Sequence, residues 1–299
     1  MNVLSSKMFE RIELKDTISS KKASKVCVAE GKLKESNESL EIVIKMYLKE
    51  KIVNYEHLLN EKKVLEYIRD SIRITKEEKN HFPHLHDTLV LQDKDTNEIY
   101  ICLALKYLHG LTLNKYINNK IVTLDFLKNT LIQIIKSLGI LHRENIIHRD
   151  IKCSNIILEG EVDNVVLIDM SLSKILESSD QRLDEFCGSF HSMAPEMLCN
   201  EKPDYGLNYD WWSVGVLTYE ILFGTPPFGY HPEENLYLLR RISESPKSLI
   251  FSEIALKKSK SYNISEIHDF IGKLLETNEK NRLGSEGDYI QVLDHKWFN

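Results

Sequence analysis

Ile146-Ile147-His148-Arg149-Asp150-Ile151-Lys152-Cys153-Ser154-Asn155-Ile156-Ile157-Leu158 is a polar loop set between two apolar runs. The runs Ile146-Ile147 and Ile156 to Leu158 predict short buried strands, which pin the loop at both ends. Asp150, Lys152 and Asn155 then project from one rigid turn. A carboxylate to accept a hydroxyl proton, a cation for a moving phosphoryl group and a ligand for Mg²⁺ are the parts that phosphoryl transfer needs.

The 299 residues, 42% of them hydrophobic, suffice for one large core or two modest lobes. A formal net charge of −6 gives no global field for nucleic acid or an anionic membrane, so neither partner is expected. No apolar run reaches the roughly 18 residues of a membrane span, and Met1 to Phe9 has no apolar signal core. The five cysteines (27, 102, 153, 187 and 199) show no C-x-x-C spacing, which argues against a disulfide framework or a zinc site. An intracellular protein, cytoplasmic or nuclear and without membrane insertion, is the expectation.

Upstream of the loop the chain reads mostly as strands: Val26 to Ala29, Leu40 to Ile44 after a polar turn at Glu35 to Ser39, and a more central Ile99 to Leu105. Tyr55 to Ile68 carries Leu58, Leu65 and Ile68 at helical spacing, and Glu61 falls on that apolar face. An inward carboxylate needs a partner, and Lys45 at the end of Ile42-Val43-Ile44 is the candidate. Arg69 to His81, rich in Lys and Glu, reads as a polar surface extension.

Downstream, Leu127, Leu131, Ile134, Ile135, Leu138 and Leu141 form a core-facing helical stripe. Val165 to Ile168 is an apolar strand that ends in Asp169, nineteen residues after Asp150. Asp210 to Gly224 is apolar nearly all round, begun by an Asp and closed by a Gly, and predicts a buried helix. His148 reads as a packed structural histidine.

Taken in order, these residues resemble the motifs of eukaryotic protein kinases over about residues 9–298. Ile42-Val43-Ile44-Lys45 is similar to V-A-I-K, His148 to Asn155 to H-R-D-x-K-x-x-N, Asp169-Met170-Ser171 to D-F-G and Met193-Ala194-Pro195-Glu196 to A-P-E. Phe9-Glu10-Arg11-Ile12, Asn60-Glu61-Lys62, Cys187-Gly188-Ser189, Asp210-Trp211-Trp212 and the ending from Arg282-Leu283-Gly284 to Phe298 look like the AGC group, which includes cyclic-AMP-dependent kinase. The resemblance implies an α+β, bilobal protein kinase fold. Residues 1–107 would form a small antiparallel β lobe with one key helix and the polar insertion at about 69–81. Residues 108–299 would form a larger, mainly helical lobe for catalysis and peptide binding.

It also implies roles. Asp150 and Lys152 would be catalytic, with Asn155 and Asp169 on Mg²⁺. Lys45, Glu61, Ile18, Val26, Lys106, Leu108 and Ile157 would serve ATP, with Leu105 as gatekeeper. Arg149, Glu185, Ser189 and Glu196 would belong to the activation segment, with Arg282 paired to Glu196. Lys152 points to serine/threonine targets in protein substrates. The acidic positions that read substrate arginines in the cyclic-AMP-dependent enzyme correspond to Thr112, Ser154, His191 and Glu220, so a weakened or altered basic preference is expected.

Three departures carry consequences. Ser19 to Val26 stands where G-x-G-x-x-G-x-V would cover the phosphates and contains no glycine, so it reads either as a polar turn or as a phosphate contact through Ser19, Lys21 and Ser24. Glu185 occupies the position of the activating phospho-threonine. It is either a solvated acid or a permanent partner of Arg149 that orders the segment unmodified. The group's apolar C-terminal tail has no counterpart, so a partner's apolar tail on the small lobe is expected. An active serine/threonine kinase is the leading reading. The alternative is a pseudokinase that serves as scaffold or allosteric partner, resting on the glycine-free loop and on Asp169-Met170-Ser171.

Overall fold

The first unit contains six strands, β1 (Asn2–Ser5), β2 (Phe9–Ser20), β3 (Ser24–Leu33), β4 (Ser39–Leu48), β5 (Leu85–Gln92) and β6 (Ile99–Lys106). In the computed structural model, which describes residues 1–36, 38–51, 55–160, 164–198, 202–230, 242–244 and 264–299, they pair antiparallel in the order β1-β5-β6-β4-β3-β2. The chain forms two compact units, Met1–His109 and Gly110–Asn299.

Period-two alternation sets the faces of β4. Ile42, Ile44, Met46 and Leu48 are buried in a core with Phe9, Ala29, Leu91 and Tyr100, while Val43, Lys45 and Tyr47 take the other face. Gly31 is required there, because a Cβ would lie 2.6 Å from the Phe9 ring. Asp87 holds the chain between β1 and β2. One carboxylate oxygen accepts from the Ser6 hydroxyl at 2.6 Å, Lys7 N–H at 2.7 Å and Met8 N–H at 3.0 Å. Helix α1 (Tyr55–Asp70) buries Leu58, Val64, Leu65 and Ile68, with Glu61 in the same stripe.

Arg69 to His81 is not a plain surface extension. Arg69 and Asp70 close α1, Ile74 is buried, and α2 (Lys76–Lys79) starts at Thr75 with a reciprocal Thr75–Glu78 capping box. Lys79 Nζ then donates to Arg69 O at 2.7 Å and folds the stretch back on α1. Its charged residues outnumber its anchors, which hid those anchors from a reading by composition.

In the second unit, α3 (Leu113–Asn119) precedes α4 (Leu124–Arg143), whose stripe Leu127, Leu131, Ile134, Ile135, Leu138 and Leu141 is fully buried. Strand β7 (Gly110–Thr112) joins β9 (Ile156–Glu159) and β10 (Asn164–Leu167), while β8 (Ile146–Ile147) pairs with β11 (Lys174–Ile175). After β11 the chain reaches the short α5 (Pro195–Leu198). Helix α6 (Tyr209–Phe223) buries every residue from Tyr209 to Ile221 and stops at Gly224, which is left-handed. Its N-cap is Asn208 rather than Asp210, because the Asp210 carboxylate is engaged elsewhere. Helices α7 (Ile264–Leu274) and α8 (Asp288–Leu293) complete the described elements.

No described helix is long and apolar enough to cross a membrane. Cys27, Cys102, Cys153 and Cys187 are free, while Cys199 and Asn37, the latter in the expected Glu35–Ser39 turn, lie outside the described residues.

Arg282 and Glu196 meet in a two-pronged ion pair, at 2.7 Å and 2.9 Å, with the arginine out of solvent. Arg282→Ala takes the guanidinium away from a buried carboxylate and should lower stability by about 3–5 kcal/mol. Replacing both partners by apolar residues, Glu196→Leu with Arg282→Met, should cost less. Urea unfolding of the two variants decides; an equal loss would refute the role of the buried charge.

Candidate active site

The loop from His148 to Asn155 is built on a carboxylate beneath it. Asp210, fully buried, accepts from His148 N–H at 2.8 Å and Arg149 N–H at 2.9 Å, and meets His142 Nε2 at 3.0 Å. These bonds hold Arg149 at φ 68°, a left-handed conformation that costs a residue with a Cβ about 1–2 kcal/mol. His148 is wholly buried and its pKa is pushed down by that burial, so it is a packed, neutral ring. Its Nδ1 accepts Asp150 N–H at 3.3 Å.

Three side chains converge on the Asp150 carboxylate. Ser189 Oγ donates to Oδ1 at 2.7 Å, and Lys152 Nζ donates to Oδ2 at 2.7 Å and to Ser189 Oγ at 2.8 Å. Asn155 Nδ2 donates to Oδ2 at 2.8 Å and to Asp150 O at 2.9 Å. These two bonds use the amide nitrogen and turn Asn155 Oδ1 into the acceptor left for a ligand. Asn155 O accepts Ile168 N–H at 2.8 Å, which ties it to the residue before Asp169. Asp169 is left-handed, at φ 68° and ψ 76°, and begins a short turn in which Met170 is fully buried. An amide oxygen and a carboxylate suit a hard cation that keeps several waters, so Asn155 and Asp169 fit Mg²⁺.

The stretch from Leu172 to Tyr205 is tied to this loop. Arg149 donates to Leu172 O at 2.5 Å, to Glu185 Oε2 at 2.7 Å and to Tyr205 Oη at 3.1 Å; Tyr205 in turn donates to Glu185 O at 2.8 Å. Lys174 closes on the other Glu185 oxygen. Partial burial would raise the Glu185 pKa, but the hydrogen bonds and charges of Arg149 and Lys174 outweigh it and hold the group below the usual carboxylate range. Farther along, Arg182 bonds Asp204 at 2.9 Å and Glu279 at 2.7 Å, and Leu183 and Tyr205 exchange backbone hydrogen bonds. Gly188 sits at φ 114°, where a Cβ would come within 3.0 Å of Arg149 O.

In the first unit Lys45 Nζ and Glu61 Oε1 form a short ion pair, and Tyr47 donates to Glu61 Oε2 at 3.1 Å. Ile18 is exposed on β2, and Val26 on β3 lies opposite Ser19 and Lys45. Lys106 N–H donates to His84 O at 2.9 Å, and Leu108 is half-buried beyond it. Ile157 lies in the second unit on β9. Between β2 and β3 only Lys21, Lys22 and Ala23 intervene, and Lys21 N–H bonds Ser24 O at 2.8 Å, so Ser19 to Ser24 forms a tight hairpin turn.

Tyr47, His142, Lys174 and Tyr205 belong to these networks and were not singled out in the sequence. Tyr47 had a signal, standing two residues beyond Lys45 on the same strand face. The other three are brought in by contacts between segments far apart in the chain.

A protein kinase domain model matches residues 22–298. The chain is 36% identical over 181 residues to developmentally-regulated protein kinase 1 of Dictyostelium discoideum, covering 60% of this chain and 23% of that one. It is 32% identical over 166 residues to serine/threonine-protein kinase Sgk3 of Rattus norvegicus, covering 56% and 30%. To a putative ribosomal protein S6 kinase alpha-2 of Caenorhabditis elegans it is 27% identical over 246 residues, covering 82% and 29%. It therefore spans under a third of the length of these relatives. The chain belongs to the protein kinase domain family, and its likeness is to serine/threonine kinases of the AGC group.

His142 lies between Asp210 and Asp288, 2.7 Å from the latter, whose same oxygen accepts Trp211 Nε1–H at 3.0 Å. Burial alone would lower its pKa, but the two carboxylates raise it from 6.5 to about 9. The folded state therefore binds the proton more tightly than the unfolded chain. The resulting stability is complete below pH 6.5 and is lost as pH rises through about 9. Thermal unfolding between pH 6 and 9.5 should show a fall that His142→Gln lacks; parallel curves would exclude this linkage.

Proposed function

We propose that this member of the protein kinase family transfers the γ-phosphoryl group of ATP to serine and threonine hydroxyls of protein substrates. The observation that carries it is the convergence of Ser189, Lys152 and Asn155 on the Asp150 carboxylate. Asp150 Oδ1, bonded to a hydroxyl of the chain itself, can orient a substrate hydroxyl and receive its proton as the oxygen attacks. Lys152 neutralises charge on the moving phosphoryl group. Lys45, oriented by Glu61 and Tyr47, holds the α and β phosphates, while Asn155 and Asp169 hold Mg²⁺, which draws charge from the phosphates. Lys106 and Leu108 give the nucleotide backbone contacts, and Ile18, Val26 and Ile157 are further ATP-binding positions. With each charged group in a bonded network, the scaffold reading gains no support from the Asp169-Met170-Ser171 variant: buried Met170 keeps Asp169 at the head of its turn.

We further propose that Glu185 holds the activation segment in place of a phosphate, by its bonds to Arg149 and Lys174. For the apolar tail of a partner, the proposed seat is the face of α1 on which Tyr55 and Leu59 are exposed one turn apart. Loss of capture from a pull-down by Leu59→Asp tests that seat; equal capture would rule it out.

Purified chain with radiolabelled ATP and Mg²⁺ should label protein or peptide substrates, and Asp150→Asn should reduce labelling to background. Equal signal from both proteins would mean the chain has no activity of its own. Glu185→Ala should lower kcat/KM by about ten- to a hundredfold, the worth of a charge-assisted bond, and speed hydrogen exchange in residues 176–188. Unchanged rate and exchange would remove Glu185 from this role.

A further inference from the structure

Beside Lys152 the second unit holds a cavity of about 190 Å³ whose lining includes Asn114, Cys153, Ser154, His191, Glu220 and Tyr230. Glu220 is the one acid among the lining residues and is buried. Asn114 Oδ1 is buried with no hydrogen-bond partner among the described residues. A carboxylate and an unmet amide oxygen are both acceptors, so an occupant must donate. Lys152, which bonds Asp150, also lines this cavity, so on the kinase reading a side chain neighbouring the target hydroxyl can enter it.

The carboxylate is already engaged from within. Tyr230 Oη donates to Glu220 Oε1 at 3.2 Å, and the Cys153 thiol bonds it as well. Burial raises the Glu220 pKa and favours these neutral donors. Tyr230 is half exposed, with its ring tilted against His191 at 5.7 Å between centroids. Its hydroxyl is therefore the displaceable part of the lining, whereas Cys153 is buried in the catalytic loop.

We infer that Tyr230 sets the selectivity of this cavity: its hydroxyl competes with a cationic substrate side chain for Glu220, so the protein distinguishes weakly between cationic and neutral donor residues there. The inference rests on the kinase reading for the identity of the occupant. An entering guanidinium or ammonium must first displace the phenol. That removes one hydrogen bond to a charged group, which is worth about a factor of ten in the discrimination between occupants. A neutral amide or hydroxyl side chain can instead reach Asn114 Oδ1 and leave the Tyr230–Glu220 bond intact.

The test compares kcat/KM for positional peptide libraries carrying Arg, Lys, Asn or Gln at each site around a fixed serine. Wild type should favour a cation over its neutral counterpart by less than about threefold at every position. Tyr230→Phe should raise that ratio about five- to tenfold at one position, and adding Glu220→Gln should abolish the gain. The same ratio read by fluorescence anisotropy, with peptides whose serine is replaced by alanine, does not need phosphoryl transfer. If wild type transfers no phosphate yet the anisotropy ratio rises in Tyr230→Phe, the kinase reading fails while the role of Tyr230 stands. A wild-type preference for cations well above threefold, or a ratio unmoved by Tyr230→Phe in both measurements, would overturn the inference.

Discussion

The Asp210 carboxylate is the constraint on which the rest of the second unit depends. A carboxylate wholly out of water costs several kcal/mol unless its oxygens are satisfied. Here three N–H donors, two backbone and one imidazole, satisfy it. The two backbone donors belong to His148 and Arg149, the residues where the chain enters its left-handed turn. The turn costs about 1–2 kcal/mol, and two hydrogen bonds to a buried charge return more than that. Asp150 follows directly, so its position is set by a bond one residue away. Helix α6, buried on every side from Tyr209 to Ile221, gives Asp210 a base with no freedom to shift.

Burial ranks the ion pairs of the molecule. Arg11–Glu13 and Lys202–Asp184 are exposed on both partners and contribute little. Arg282–Glu196 is buried and bidentate, and joins segments 86 residues apart, so it fixes the end of the activation segment to the body of the unit. Arg149–Glu185 stands between these limits, with a buried arginine and a partly exposed acid. That asymmetry suits a control point. The arginine must be paired because it is buried, and its acid stands where the solvent can reach it.

Much of this arrangement was legible in the sequence because it follows apolar patterning. The inward Glu61 came from a spacing of 3.6 residues, while the buried α6 and the strands on either side of the His148–Asn155 loop came from unbroken apolar runs. Tyr47 lay within reach of strand alternation, two positions beyond Lys45. Other features were opaque for stated reasons. Asn2–Ser5 is too short and mixed to show alternation, and becomes a strand because Asp87, eighty residues later, anchors the chain that follows it. The cap at Thr75 was hidden by the charge around it. Asp210 read as a helix start, but long-range partners had a stronger claim on its carboxylate than the helix N-terminus did.

The hairpin at Ser19 to Ser24 shows how local chemistry can shift a task from one residue to another. A glycine-rich loop binds phosphate through backbone N–H groups that approach closely and are fixed in direction. A three-residue turn with Lys21 N–H already bonded to Ser24 has given up part of that capacity. Lys21 and Lys22 restore charge, but on exposed, flexible side chains where salt screens it and ordering costs entropy. Lys45 suffers neither penalty: it is mostly buried and held by Glu61, itself held by Tyr47. In the proposed function, positioning of the phosphates rests more heavily on the strand lysine than on the hairpin, and the additional Tyr47 bond to Glu61 is the feature of this chain that suits it to that load.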